Sequence, residues 1–135
     1  MSITYKYEPE KDAIYAAIEG KMTFEEFQLT LVKFTEIENF PPNTRSLWDL
    51  RKMDFSIIDW DFSKQLVAIR EMNPKRAHTR IAFIADKDFG YGITEMHIFQ
   101  FSNKLPQEMR LFRDYEEGEK WLLEEKKQAS PTNSY

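Results

Sequence analysis

Two apolar periodicities alternate along this chain, and their order constrains the fold more than any other feature. Residues 3–8, 13–19 and 79–85 have the two-residue period or the short apolar run that is typical of β-strands. Between such segments, apolar residues recur every three or four positions, as in helices packed on a sheet. The order of these signals is ββαβαβαβα. It predicts an α/β domain with a mixed, mostly parallel five-stranded sheet and four helices.

Side chains that cap helices mark three of the predicted helix starts. Thr23 and Glu26 have the spacing of a capping box, in which each side chain accepts a hydrogen bond from the other residue's amide. The same spacing recurs before the last helix, which Trp121 and Leu122 are expected to anchor to the sheet. The first helix carries an apolar stripe, and the second has two candidate caps. The stripe of the first helix consists of Phe24, Phe27, Leu31 and Phe34. The candidate caps of the second helix are Asp59 and Asp61. The capping pair of the last helix is Asp114 and Glu117.

Length and composition narrow the class of protein. A chain of 135 residues fits one domain, expected over residues 1–126, with a polar and disordered tail over 127–135. Cysteine is absent, which excludes disulfides, thiolate nucleophiles and cysteine-ligated metal sites. The net charge is −4 and the cations are scattered, so nucleic acid is not an expected partner. No apolar run approaches the about 20 residues of a membrane span, and the N-terminus has no secretory signal, so we expect a cytoplasmic protein.

Three stretches of sequence together resemble the SpoIIAA-like family of bacterial domains, and the resemblance spans nearly the whole chain. It implies a fold similar to that of STAS domains, which has been grouped with the architecture of lipid carriers. It implies little about biochemical role, because that of the family is mostly unassigned. The stretches are Leu-Trp-Asp-Leu-Arg at 47–51, Phe-Gly at 89–90 ahead of Glu-Met at 95–96, and Met-Arg-Leu-Phe-Arg-Asp at 109–114 running into Glu-Lys-Trp-Leu at 119–122.

One regulatory feature of related proteins is missing. The related anti-sigma-factor antagonists carry an Asp-Ser-Ser-Gly motif whose serine a kinase phosphorylates. Here residues 53–64 contain Ser56 and Ser63 but neither the paired motif nor its glycine. The resemblance therefore does not carry the phosphorylation switch over to this chain.

The carboxyl ends of the third and fourth strands predict a binding edge, because open α/β sheets usually hold ligands there. Asp49 and Arg51 lie two positions apart on a strand, so they share a face and are suited to clamp a polar group. The alternative is an ion pair that only positions the next loop. Residues 89–92 at the next strand's exit are a candidate cradle for an anion, or else provide glycines for close packing. The candidate residues for a ligand or partner are Asp49, Arg51, Ser56, Phe89, Gly90 and Gly92.

A second candidate site is an apolar slot between the second and third helices. Trp60, Met96 and Phe99 are its predicted lining, with ordinary core as the alternative. His78 and His97 are nineteen positions apart and have no partner at ligand spacing, so no metal site is expected. No nucleophile elbow is present, and neither a catalytic residue nor a cofactor is expected.

Together these features favour a non-catalytic, STAS-like regulatory or binding module. We expect it to act at the carboxyl edge of the sheet through a protein partner or a small apolar or anionic ligand. The alternative is a small carrier of an apolar molecule such as a lipid or fatty acid. An exposed edge strand is also compatible with a homodimer.

Overall fold

The computed structural model describes residues 2–37, 44–71, 79–101 and 107–124. The order of strands and helices is the predicted one. The elements are β1 (Ile3–Glu8), β2 (Ala13–Gly20), α1 (Phe24–Thr35), β3 (Arg45–Met53), a 3₁₀ segment (Phe55–Ile57), α2 (Trp60–Glu71), β4 (Arg80–Ile84), α3 (Asp88–Phe101), β5 (Glu108–Phe112) and α4 (Tyr115–Leu123). The tail predicted at 127–135 lies outside the described residues.

The five strands form one sheet in which the spatial order follows the chain, β1-β2-β3-β4-β5. β1 pairs antiparallel with β2, and every other pair is parallel. This confirms the predicted mixed, mostly parallel sheet, and the antiparallel pair lies at its N-terminal end. β3 and β4 are neighbours, with Asp49 opposite Ile84, so their carboxyl ends share one edge. β3 runs to Met53, because β2 continues to pair with it beyond a bulge.

The sheet separates two apolar layers of unequal size. On β3, Trp48 and Leu50 face the larger layer, which includes Phe27, Leu31 and Phe34 of α1. Leu47 faces the other side and packs in a cluster with Trp121 and Leu122 of α4. This alternation follows from the two-residue period of a strand, whose successive side chains point to opposite faces. Trp121 and Leu122 therefore anchor α4 as predicted.

The helix caps only partly follow the sequence prediction. Thr23 Oγ1 accepts a hydrogen bond from the Glu26 amide at 3.1 Å, which confirms half of the first capping box. The Glu26 carboxylate, however, accepts from the Ser2 hydroxyl and from the Ile3 amide, the latter at 2.9 Å. The predicted hydrogen bond from the Thr23 amide to the Glu26 carboxylate is therefore wrong. The start of β1 offers other donors, which no local pattern reveals.

The other two helix starts differ from each other. Asp59 caps α2, since its Oδ1 accepts from the Phe62 amide at 2.8 Å, and Asp61 instead lies inside the helix. Asp114 occupies the cap position of α4, but its side chain makes no capping hydrogen bond. The second capping box predicted from the sequence is therefore wrong.

Candidate functional site

A cavity of about 110 Å³ lies between the sheet and the layer formed by α1, α2 and α3. Seven segments of the chain contribute to it, and most of the side chains that line it are apolar. The apolar lining residues are Ile18, Met22, Phe27, Leu31, Trp48, Leu50, Met53, Phe55, Ile58, Leu66, Ile81, Phe83 and Ile93. Such a surface favours an apolar guest, because polar atoms buried there would lose their hydrogen bonds to water.

The few polar residues of this cavity are uncharged or histidine. They are Ser46, Ser63, Thr94, His97 and Gln107. The Trp48 indole Nε1 donates to Ser46 Oγ at 3.2 Å, and Thr94 Oγ1 donates to the Gly90 carbonyl at 2.8 Å. No Asp, Glu, Lys or Arg is among the described residues that line the cavity. A charged guest would therefore be buried without a counter-charge from an acid, lysine or arginine.

The residues predicted to line an apolar slot do not line this cavity. Trp60, Met96 and Phe99 are 53%, 55% and 82% exposed. α3 instead contributes Ile93, Thr94 and His97 to the cavity wall. Trp60 begins α2, whereas Met96 and Phe99 lie on the exposed side of α3. Because α3 is apolar around most of its circumference, periodicity does not distinguish its inner face from its outer one.

A second pocket, of about 270 Å³, lies at the carboxyl edge of the sheet, and we call it the rim depression. It is lined by Leu50, Arg51, Met53, Asp54, Phe55, Ser56, Ala85, Asp86, Lys87, Phe89 and Gly90. Four of the six predicted edge residues therefore come together here, namely Arg51, Ser56, Phe89 and Gly90. Asp49 and Gly92 are outside the lining.

Asp49 and Arg51 bind each other in the two-pronged geometry that suits a carboxylate and a guanidinium. Arg51 Nε lies 2.9 Å from Asp49 Oδ1, and Nη2 lies 2.8 Å from Oδ2. The Arg51 guanidinium also lies 5.2 Å from the ring centre of Tyr115. Partial burial acts to raise the pKa of Asp49, but the hydrogen bonds and charge of Arg51 lower it below its usual value. The geometry is that of the ion pair named above as the alternative to a ligand clamp.

The charges around the rim depression balance one another. Lys87 Nζ donates to the Arg51 carbonyl at 3.2 Å and lies 3.6 Å from Asp86. Asp54 Oδ1 accepts from the Ser56 amide at 2.9 Å. Two cations and two carboxylates therefore line the depression, so its charge does not select an anion.

Gly90 and Phe55 connect the rim depression to the cavity. Phe55 lines both, as do Leu50 and Met53. A Cβ placed on Gly90 would lie 2.6 Å from Phe55 Cε2, whereas one placed on Gly92 would meet nothing within 4 Å. Gly90 thus allows close packing, and the wall made by Leu50, Met53 and Phe55 is common to both spaces.

Two further kinds of site concern the described ranges, residues 2–37, 44–71, 79–101 and 107–124. No group of three or more His, Asp or Glu side chains there is arranged to hold a metal ion. No helix in these ranges combines the length and apolarity needed to cross a bilayer.

Comparison with known proteins supplies the name of the fold. No family model and no curated protein matches this sequence. Among solved structures, the chain is similar to an uncharacterized protein of the DUF3478 family with a SpoIIAA-like fold from Shewanella loihica PV-4. The TM-score is 0.63 at 19% sequence identity, and the match covers 90% of this chain and 94% of that one.

The chain has a SpoIIAA-like fold. This confirms the architecture implied by residues 47–51, 89–96 and 109–122. At 19% identity the similarity shows the fold alone, and the protein from Shewanella loihica is itself described as uncharacterized. The function of this SpoIIAA-like domain must therefore be argued from its cavity and its rim depression.

Proposed function

We propose that this SpoIIAA-like domain is a non-catalytic binding module that holds a small apolar molecule in the cavity between the sheet and α1–α3. The observation that carries the proposal is the apolar lining, with Phe27, Trp48 and Phe83 among its aromatic members. Each part of a guest that leaves water for such a surface gains about 25 cal/mol per Å² of apolar area. The proposed occupant therefore needs no charged anchor.

The volume sets the size of the occupant. An engineered apolar cavity of about 150 Å³ in another protein stays dry and binds benzene. The cavity here, at about 110 Å³, is of the same order. It suits a single small ring or a short chain better than the long acyl chain of a typical lipid. The proposed carrier function is accordingly restricted to small apolar molecules.

The lining also supports the non-catalytic part of the proposal. His97 is the one lining residue of the described chain that is suited to act as a base near neutral pH. No Asp or Glu is among the described residues that line the cavity, so the described lining offers no set of serine, histidine and carboxylate.

Toluene is a suitable probe, because it is apolar and close to benzene in size. We expect toluene to raise the midpoint of thermal unfolding with a saturable dependence on concentration, as a guest that binds only the folded state must. Native mass spectrometry of protein purified without detergent should also show a retained small mass that is lost on denaturation. A midpoint that toluene leaves unchanged at concentrations near its solubility would contradict the proposal.

A second candidate function uses the rim depression, as the sequence first suggested. Phe89 is 64% exposed beside this depression, and Arg51 and Ser56 provide polar groups at its wall. An exposed aromatic ring surrounded by polar groups is a common feature of protein interfaces. This candidate predicts that Phe89→Ala weakens association with a protein partner, or of two copies of the chain, while toluene binding stays unchanged. Sedimentation velocity of both proteins separates these outcomes.

A further inference from the structure

Besides Ser46 of β3, two buried hydroxyl residues line the cavity, one from α2 and one from α3. Ser63 of α2 is 6% exposed and Thr94 of α3 is 5% exposed, and both line the cavity. A hydroxyl is both a donor and an acceptor, so each can bind a polar group of a guest. Two such residues in a mostly apolar lining are a source of specificity that apolar contacts alone do not supply.

The two hydroxyls differ in which hydrogen-bond donors and acceptors remain unused. Thr94 Oγ1 uses its proton in the hydrogen bond to the Gly90 carbonyl at 2.8 Å, so its lone pairs remain as acceptors. The Ser63 amide donates to the Asp59 carbonyl at 3.0 Å, but the Ser63 hydroxyl makes no hydrogen bond within the described part of the chain. A buried hydroxyl without a partner costs about 1–3 kcal/mol, which a suitable guest would recover.

The described lining residues also favour a guest without charge. Because no acidic, lysine or arginine side chain is among the described lining residues, a carboxylate would enter without a strong counter-charge. The cost of burying an unpaired charge far exceeds that of burying a hydroxyl. An uncharged hydroxyl meets the remaining needs of both side chains, since it can accept from Ser63 and donate to Thr94.

We infer that the guest is a small apolar molecule with one uncharged hydroxyl group, which Ser63 and Thr94 bind inside the cavity. This inference rests on the proposed function and names the chemical class of the ligand. It separates a neutral alcohol or phenol from a fatty acid, for whose carboxylate the described lining residues provide no lysine or arginine.

Three ring compounds of similar size test the inference. Toluene is apolar, phenol has nearly the same shape with a neutral hydroxyl, and benzoate is anionic at pH 7. We expect the wild-type protein to bind toluene and phenol and to show no binding of benzoate by calorimetry. Ser63→Ala should weaken phenol binding about fivefold or more, which corresponds to the loss of one hydrogen bond. The same substitution should leave toluene affinity within about twofold, since no contact with toluene depends on the hydroxyl.

Two further variants keep the result interpretable. Thr94→Val preserves the shape of the side chain and should also weaken phenol selectively. Thr4→Val is the same chemical change at an exposed position of β1 outside the cavity lining, and it should change neither affinity. Retained toluene binding shows that each variant is folded. If Ser63→Ala and Thr94→Val both leave the ratio of phenol to toluene affinity unchanged, the inference is overturned and the proposed function stands. Failure of the wild-type protein to bind either toluene or phenol overturns the proposed function as well.

Discussion

The ring of Phe55 packs against the backbone of Gly90, so closely that the Cβ of any other residue there would lie 2.6 Å from Cε2. Phe55 belongs to the 3₁₀ segment after β3, and Gly90 lies in the first turn of α3. This contact closes the wall between the apolar cavity and the rim depression, because Phe55 lines both. The glycine that the sequence suggested for an anion cradle thus has a packing role in the structure.

Gly90→Ala is therefore expected to destabilise the fold. The new methyl group must displace the Phe55 ring, and such overpacking typically costs about 1–3 kcal/mol. Gly92→Ala is the matched control, because it lies in the same helix with nothing within 4 Å of the added atom. It should be stabilising by about 0.5–1 kcal/mol through helix propensity. Urea unfolding of both variants measures the difference, and equal midpoints would show that Phe55 yields without cost.

Leu66→Phe is expected to fill the cavity and exclude its guest. Leu66 lines the cavity from α2, so the added ring atoms occupy space that toluene would otherwise take. We expect toluene affinity to fall about tenfold or more, a change of about 1.4 kcal/mol. The stability should change by less than about 1.5 kcal/mol, because the larger side chain enters an existing void.

Leu29→Phe is the control for this substitution. Leu29 lies on α1 and is 48% exposed, so the same chemical change there leaves the cavity untouched. Its toluene affinity should equal that of the wild-type protein in the same calorimetric titration. If Leu66→Phe binds toluene as tightly as Leu29→Phe, toluene binds elsewhere and the cavity is not its site.

The order of elements and the sheet were predictable because their signals are local. The two-residue period at 13–19 is typical of a strand that is buried on one face. The continuous apolar run at 79–85 is typical of a strand that is buried on both faces. Arg51 and Phe89 were also expected at one edge, since the carboxyl ends of parallel strands lie together. Both residues do line the rim depression.

The cavity lining was not predictable in the same way. A void arises where side chains from seven segments fail to fill a space, and no local pattern records such a mismatch. Met96 and Phe99 were assigned to the lining because they are apolar, yet they are exposed while His97 is in the wall. Glu26 shows the same limit for polar groups, because its partners Ser2 and Ile3 lie more than twenty positions away in sequence.

Glu26→Gln is expected to lower stability by about 1 kcal/mol at pH 7, because an ionised carboxylate accepts more strongly than an amide. Burial acts to raise the pKa of Glu26, but hydrogen bonds from Ser2 and Ile3 hold it below the ordinary value of 4.5. As the pH falls, Glu26 is therefore protonated in the unfolded chain before it is protonated in the folded protein. The stabilisation by its carboxylate is present above about pH 4.5 and is lost below it.

The difference in unfolding free energy between wild type and Glu26→Gln should accordingly shrink as the pH is lowered from 7 through the acid range. Glu25→Gln is the control, since Glu25 is an exposed acid in the same first turn of α1. A Glu26→Gln difference that stays constant down to acid pH would show that the charge of this carboxylate does not hold β1 to α1.

Tyr15→Phe tests the polar contact between the sheet and α4. The Tyr15 hydroxyl donates to Glu119 Oε2 at 2.5 Å, and burial followed by the neighbouring Glu119 raises the pKa of Tyr15 above its ordinary value of 10.0. Above pH 10 the unfolded chain loses this proton while the folded protein keeps it, so folded stability falls as pH rises.

The variant lacks this proton, so its stability should fall less steeply than that of wild type between neutral pH and about pH 11. Tyr5→Phe serves as the reference, because Tyr5 lies on the neighbouring strand β1 with its ring against Phe34, on the opposite face of the sheet from α4. Urea midpoints at neutral and alkaline pH measure both slopes. Identical slopes for Tyr15→Phe and wild type would mean that the Tyr15 hydroxyl contributes no proton linkage to folding.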